Sequence, residues 1–523
     1  MFRKAAALAA VGFTVLAASP VHASTPTASS APGSPSAATT TTTTATGSGT
    51  ALAAASTAAT GSGTSLAAGT AVVTIDATHP AGRLAADAVG LSFEMRELGI
   101  GNLDPARGNM AQLMRTLGPS NLRIGGNTLD RDTLWVPAGQ SPPDPKPTWV
   151  EDVVTPNDLQ RLRGLLDTTG WKAEVGVNVG RWDPALAADQ VRAMDRILGK
   201  RLLAVECGNE PDQWEGKALR PPGYAYPQYH ADWSACADVV AHDGTARDRI
   251  AGPDTAGTSS SWASSLAADE HDRMSMLTVH QYASGPDLTI DRMLAPAQIT
   301  SQLNAVAGNL AAATANGLPM RVDEANSAYS GGVDGVSNKY ASALWVIDYG
   351  LSMAQAGMSG VNIHGGLGVC NDPIWNGKFQ RYTPICASSK AYELAQQYKV
   401  MPIYYGIWMA RQMGPGRFLP IKINTDKNIS AYAVRGDDGH TRIALIHKDS
   451  TAPVDVTLTV GGRNRPASVL AMTGPALDQE PTAIQGATVD AAGRFHPTPS
   501  PAHVTTGTLT LTVGPASAVV VTL

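Results

Sequence analysis

The sequence is short of charge. Charged residues make up 16% of its 523 positions, and the formal net charge is -5. No polybasic surface is therefore available for nucleic acid or an anionic membrane, and neither is expected as a partner. It is also short of cysteine. The four present, Cys207, Cys236, Cys370 and Cys386, fall in no Cys-x-x-Cys, and there is no His-x-x-x-His, so no zinc site is expected. Ser259-Ser260-Ser261 lies in no Gly-x-Ser-x-Gly elbow, which argues against a serine esterase. Gly99-Ile100-Gly101 has no phosphate-loop context and reads as a turn rather than a nucleotide site. Past the N-terminus no apolar run is long enough to span a bilayer.

What is present begins with an export signal. Arg3-Lys4 supply a positive region, residues 5–18 an apolar one, and Val21-His22-Ala23 a small-residue cleavage site. The mature protein is expected to be secreted, soluble and a monomer. Export permits disulfides. Four cysteines allow three pairings; the local one, Cys207 with Cys236 and Cys370 with Cys386, is expected, the alternative being four buried thiols. Residues 24–69 are Ser, Thr, Ala, Gly and Pro with a threonine run at 39–44, and 45–54 nearly recur as 59–68. Such composition buries too little apolar surface to offset chain entropy, so it reads as a linker.

From about residue 88 strand-like and helix-like segments alternate, which favours a parallel sheet with helices outside. Eight strand candidates fall at 89–94, 121–125, 173–178, 202–206, 249–252, 276–280, 320–324 and 360–364. Helical periods fall at 157–167, 185–198, 299–313 and 338–355. The pattern suits a (β/α)8 TIM barrel over 88–413, with a doubly wound open sheet as the alternative. After Met413, Gly414-Pro415-Gly416 breaks the helix, and short alternating strands over 414–523 read as a β-sandwich. The β-rich run 71–75, within an N-terminal segment 70–87, is expected to pair with those C-terminal strands.

Two carboxylates carry the chemistry. Val205-Glu206-Cys207-Gly208-Asn209-Glu210-Pro211 ends the fourth strand, and Met320-Arg321-Val322-Asp323-Glu324 ends the seventh. Pro211 biases Glu210 toward an extended backbone. Both ends of such strands face one bowl, where barrel active sites are built. Glycosidic bond hydrolysis needs two carboxyl groups, one to protonate the leaving oxygen and one to attack or activate water. The acid must keep its proton, so its pKa is expected to be raised by burial and a nearby anion. Arg123 is a candidate to hold the other ionised. Glu94, Asn127, Asn209, His280 and Tyr282 at the remaining strand ends are candidates to bind sugar.

Gly208-Asn209-Glu210-Pro211, Glu324 with Asn326-Ser327-Ala328-Tyr329-Ser330-Gly331-Gly332, and Leu122-Arg123-Ile124-Gly125-Gly126-Asn127 together resemble glycoside hydrolase family 79, the β-glucuronidases and heparanases. Gly90-Leu91-Ser92-Phe93-Glu94 and Ala444-Leu445-Ile446-His447-Lys448 fit the same resemblance, which runs from about residue 70 to the C-terminus. It implies a retaining mechanism with Glu210 as acid/base and Glu324 as nucleophile. It implies that Tyr329, the amides near Ser330-Gly331 and Tyr382 hold a uronic carboxylate, and that Glu94, Asn127 and Asn209 contact sugar hydroxyls. No metal or organic cofactor is needed. A longer segment than the family pattern suggests, 367–380, precedes Tyr382 and is expected to reshape the pocket rim. The expected partner is a glycoside or oligosaccharide containing glucuronic acid, cleaved from its end. The alternatives are an endo-acting heparanase-like enzyme, a neutral-sugar β-glycosidase on the same scaffold, or a carbohydrate-binding protein without catalysis.

Overall fold

The computed structural model describes residues 69–244, 249–375 and 378–523. The expected signal segment and all of the linker except Gly69 lie outside the described residues. Gly69 itself opens the first strand, Gly69–Ile75, rather than closing the linker.

Eight parallel strands close into a barrel. In chain order they are Val89–Glu94, Asn121–Gly125, Lys172–Val177, Leu202–Cys207, Ile250–Thr255, Met274–Ser284, Met320–Ala328 and Gly360–Gly365. Called one to eight, they pair in the order six-seven-eight-one-two-three-four-five. Strands one, two, five, seven and eight are buried along their whole length. Parallel strands covered by helices on one side and packed into a barrel interior on the other require this. The helices start where the chain dictates. Pro156–Thr169 begins with a proline in its first turn and a Thr155–Asp158 capping box. Pro184–Leu198 is capped by the Asp183 side chain.

Strands six and seven run longer than the sequence suggests, because His280 to Ser284 stay in register with Glu324 to Ala328. That extension lifts Tyr282 and Tyr329 to the mouth. The helix expected from residue 338 starts at Ala341 instead. Ser337 Oγ accepts from Val333 N, and Asn338 Oδ1 accepts from Gly335 N. These local bonds fix a turn that competes with the helix.

The β-domain is two facing sheets. One orders Ile421–Asn424, Gly69–Ile75, Val454–Thr459 and Thr508–Val513. The other contains Ala81–Leu84, Gly416–Leu419, Ile429–Gly436, Thr441–His447, Ser517–Thr522 and Arg465–Thr473 in that order. Between them lie Val73, Val456, Leu458, Leu445, Val519 and Val521, all buried. Gly69–Ile75 pairs parallel with Val454–Thr459 and antiparallel with Ile421–Asn424. The chain's first described strand thus sits inside a sheet made of its last hundred residues.

A buried polar cluster fastens this domain to the barrel. Lys448 Nζ lies 2.5 Å from Asp348 Oδ2 on the helix Ala341–Gln355 and donates to Ser430 Oγ. Tyr432 donates to Asp348 Oδ1. Removing one partner of such a pair leaves the other charge desolvated and alone. Lys448→Ala is expected to cost about 3–5 kcal/mol, read from the midpoint of urea unfolding. Asp348→Leu combined with Lys448→Met should recover part of that loss. A Lys448→Ala midpoint equal to wild type would show that the pair does not brace the two domains.

Candidate active site

The site is built on one guanidinium. Arg123, on strand two, is fully buried in the barrel interior. Its Nε lies 2.9 Å from Glu206 Oε2 and 3.4 Å from Asp323 Oδ2. Nη1 donates to Glu324 Oε2 at 2.7 Å, and Nη2 donates to Asn209 Oδ1 at 2.8 Å. Asp323 and Glu324 are neighbours, yet both reach the same cation. Regular alternation would send them to opposite faces. The register slips between Val279 and His280, and again between Val322 and Ala325, and such irregularities re-aim side chains.

Glu324 is held as an anion. Its second oxygen, Oε1, accepts from the Tyr282 hydroxyl at 2.7 Å. Burial raises its carboxyl, but His364, His280 and Arg123 outweigh burial and bring it from 4.5 to about 2. His280 lies between the two carboxylates, with Nδ1 3.2 Å from Glu210 Oε1 and 3.9 Å from Glu324 Oε1. Arg123 Nη2, which can only donate, lies 3.3 Å from His280 Nε2. That leaves Nδ1 to carry the imidazole proton and donate it to Glu210.

Glu210 departs from the expectation twice. Its backbone is left-handed, φ 48° and ψ 56°, not extended. The conformation is fixed from both sides. Glu210 N donates to Asp254 O, and Gln213 N donates to Glu210 O. Trp214 Nε1 donates to Asn209 O, and Gly208, at φ 87°, leaves room for the Trp214 ring, 2.6 Å from where a Cβ would stand. A strained residue held this firmly is typical of functional sites. The second departure is electrostatic. Burial raises the Glu210 carboxyl, but Lys217 and His280 together push it well below the usual carboxylate range. Lys217 Nζ sits 2.5 Å from Glu210 Oε2. The sequence reading gave Lys217 no role, so it counted only the groups that would raise Glu210.

A cavity of about 500 Å³ opens over these groups, in the size range of small-ligand sites. Glu94, Asn127, Tyr282, Tyr329, Ser330, Gly331 and Tyr382 all line it. Glu94 Oε2 accepts from Thr128 N and Oγ1. It is seated against Gly126, which at φ 73° has no Cβ to displace it. Asn209 is 2% exposed, and its Nδ2 has no partner. Tyr329 stands at the rim, 53% exposed. Gly331 O accepts from Arg381 N at 2.7 Å, which joins the turn after strand seven to the segment carrying Tyr382. Tyr382 is buried beside Tyr282, ring centroids 6.0 Å apart. Burial raises both phenols, and the Glu324 charge adds to it, so both remain hydrogen-bond donors. The segment expected to reshape the rim contains a small hairpin, Pro373–Trp375 with Lys378–Phe379. It is closed by the Cys370–Cys386 disulfide. Cys207 pairs with Cys236, fixing the end of strand four to the helix Tyr226–Asp243.

Three residues that the sequence reading passed over belong here. Lys217 is one. His364, read only as the end of the eighth strand, lies 3.6 Å from Glu94 Oε1 and 3.7 Å from Glu324 Oε2; burial lowers its ring, and those two carboxylates lift it above its usual value. Asp130 accepts from Val179 N, Gly180 N and Asn209 N, so it ties the loop after strand three to the start of the Asn209-Glu210-Pro211 turn. No sequence period marks any of the three.

Among the described residues, ligating atoms of Glu210, His280 and Glu324 lie within 4.8 Å of one another. The imidazole nitrogen between the two carboxylates carries a proton, and Lys217 and Arg123 already occupy them, so the donor set suits hydrogen bonding better than a metal. Glu174, Glu206 and Asp323 form a second, fully buried group. Burial raises all three carboxyls, which favours protonated acids there over an ion.

No protein-family model matches the chain. β-Glucuronidases of Neurospora crassa and Aspergillus niger are 27% and 25% identical to it over 303 and 284 residues, 49% and 47% of this chain. Each match covers 50% of the relative, so the chain spans about half the length of the curated relatives it matches. A solved 4-O-α-L-rhamnosyl-β-D-glucuronidase from Fusarium oxysporum 12S superposes with a TM-score of 0.72 at 21% identity, over 86% of this chain and all of that one. A family 51 arabinofuranosidase from Xanthomonas axonopodis pv. citri superposes with a TM-score of 0.64 at 15% identity, over 87% and 100%. The chain shares the barrel and β-domain fold of these glycosidases.

The low Glu324 value links the site to stability. A carboxyl whose folded pKa is depressed adds stability above its unfolded value, lost as pH falls through the folded one. For Glu324 that window runs from 4.5 down to about 2. Wild-type protein is expected to lose more stability between about pH 5 and pH 3 than Glu324→Gln, measured by denaturant midpoints. Parallel losses would mean that Glu324 is not held ionised by the fold.

Proposed function

We propose that the chain is an exported, retaining exo-β-glucuronidase of glycoside hydrolase family 79, with Glu324 as nucleophile and Glu210 as acid/base. The observation that carries this reading is the carboxylate pair. One oxygen of each lies within 4.8 Å of the other, an approach that fits the ~5–5.5 Å separation between the carboxyl groups of retaining enzymes. The two carboxylates also sit in different surroundings. Arg123 and Tyr282 hold Glu324 as an anion ready to attack the anomeric carbon. Glu210 faces the cavity beside it, where it would give its proton to the leaving oxygen as the bond to the anomeric carbon breaks. It would then take a proton back from the water that opens the glycosyl ester.

The carboxylate of a glucuronic acid would lie against Tyr382, Tyr329 and the backbone at Ser330-Gly331. Neutral donors suit it, because they recognise the anion without a full cation beside the reacting centre. Glu94 and Asn127, on the cavity wall, are placed for ring hydroxyls; Asn209, expected to join them, is buried and not among the lining residues, although its Nδ2 is unpartnered. Export is supported by the N-terminal pattern and by the two disulfides. No helix among the described residues is long and apolar enough to cross a membrane.

Matched aryl β-D-glucuronide and β-D-glucoside test the reading. Glucuronide turnover is expected, with retained anomeric configuration in the first product seen by NMR. Glu324→Ala should lower it by about 10⁴-fold or more. Tyr382→Phe should lower glucuronide kcat/KM by about 10- to 100-fold, as expected for a hydrogen bond to a charged group, with little effect on glucoside. Turnover of glucoside alone would overturn the carboxylate pocket. An inverted product would overturn Glu324 as nucleophile.

A further inference from the structure

The group that must donate a proton is the one the free protein keeps ionised. Glu210 is faced by Lys217 at 2.5 Å and His280 Nδ1 at 3.2 Å, with the carboxyl groups of Glu324 and Asp212 also near it. His280 is held in place through Arg123. Lys217 is different. It sits on the cavity wall, its side chain 19% exposed, and no other carboxylate forms an ion pair with it among the described residues. Its backbone is firmly placed. Lys217 N donates to Gln213 O, and Ala218 beside it is left-handed at φ 55°. Trp214, stacked under Arg220 at 4.7 Å, anchors the turn.

The position of Lys217 says which part of a substrate it would meet. The cavity is also lined by Gln213, Thr258 and Ser301, polar and uncharged, and by Gly257, from the loops after strands four and five and from the helix Pro296–Ala315. Tyr329, Ser330, Gly331 and Tyr382 come from strands seven and eight, across the barrel. A glucuronic carboxylate at that far end leaves Lys217 on the side where Glu210 meets the departing oxygen.

We propose that Lys217 forms a leaving-group subsite for aglycones or neighbouring sugars that carry an anionic group, and that it moves from Glu210 onto that anion when such a substrate binds. The proposal rests on the reading of Glu210 as the acid/base. Losing the ammonium and gaining an anion nearby both favour the protonated carboxyl. The proton Glu210 gives to the leaving oxygen is therefore one it takes up from solvent as Lys217 lets go. Neutral aglycones, which offer Lys217 nothing, leave the ion pair closed and are turned over more slowly. The enzyme would thus favour acidic glycans or acidic aromatic glucuronides.

The test compares three aryl β-D-glucuronides whose phenols have matched pKa values: a neutral one, one bearing a carboxylate and one bearing a sulfonate. Wild-type kcat/KM is expected to be about tenfold higher for the anionic substrates. That ratio should collapse toward one in Lys217→Met and be largely kept in Lys217→Arg. A carboxylate preference without a sulfonate preference would assign the subsite to carboxylates; equal preference would assign it to anions in general. The pH profile gives a second readout. Activity falls as Glu210 loses its proton, and removing the ammonium raises the pH at which that happens. The alkaline limb for the neutral substrate should therefore move up in Lys217→Met. Turnover of all three substrates with the same ratio and the same limb in wild type and Lys217→Met overturns the subsite alone. No turnover of any of them by wild type overturns the glucuronidase reading, and the subsite with it.

Discussion

The barrel mouth depends on the charge of Arg123. A guanidinium with no solvent contact is tolerable only if its fixed fork of donors is met by acceptors. Here the acceptors come from three other strands: Glu206 and Asn209 from strand four, His280 from strand six, Glu324 from strand seven. One side chain therefore sets the tautomer of the histidine, the ionisation of one carboxylate and the orientation of the asparagine beside the other. Gly125 leaves it the space, since a Cβ there would stand 2.7 Å from the guanidinium carbon. Rigid strands supply the groups and the cation fixes their relative angles, so little is left to loops.

Much of this was legible in the sequence because barrel strands have few ways to be written. Val89–Glu94 and Asn121–Gly125 stand where the apolar runs put them, since a strand buried on both faces reads as continuous hydrophobicity. Glu210 and Glu324 could be paired although far apart in sequence, because closure brings strand ends together. The illegible part is local geometry without a period. The register slip at His280 turns Asp323 and Glu324 toward one cation, and no alternation announces it. The turn from Pro211 to Lys217 doubles back onto Glu210, and its conformation comes from Trp214 and Asp254 contacts that are tertiary. Tyr282 shows the same limit. The sequence placed it at the mouth among the sugar-contact residues, and the structure puts its hydroxyl on Glu324.

The two ends of the site differ in kind. Tyr382 and the turn after Tyr329 are held by backbone bonds and a disulfide, and present donors without net charge. The end near Glu210 presents a flexible ammonium on a fixed turn. In the proposed reading, shape and hydrogen bonding would select at the first end and electrostatics at the second, where a charge on a long side chain can be shared between protein and ligand.

The strand Gly69–Ile75 has a consequence for how the molecule is made. It is made before the barrel, yet its neighbours in the sheet, Ile421–Asn424 and Val454–Thr459, follow roughly 350 and 385 residues later. Until then it has no partner, and the whole barrel must be accommodated while its edges wait. Such long-range closure is slow and leaves strand edges exposed to other chains. A severed C-terminal fragment would lack this inner strand and open the same edge. The two domains are separate in architecture but linked in assembly, and the β-domain becomes whole only after the barrel has been made.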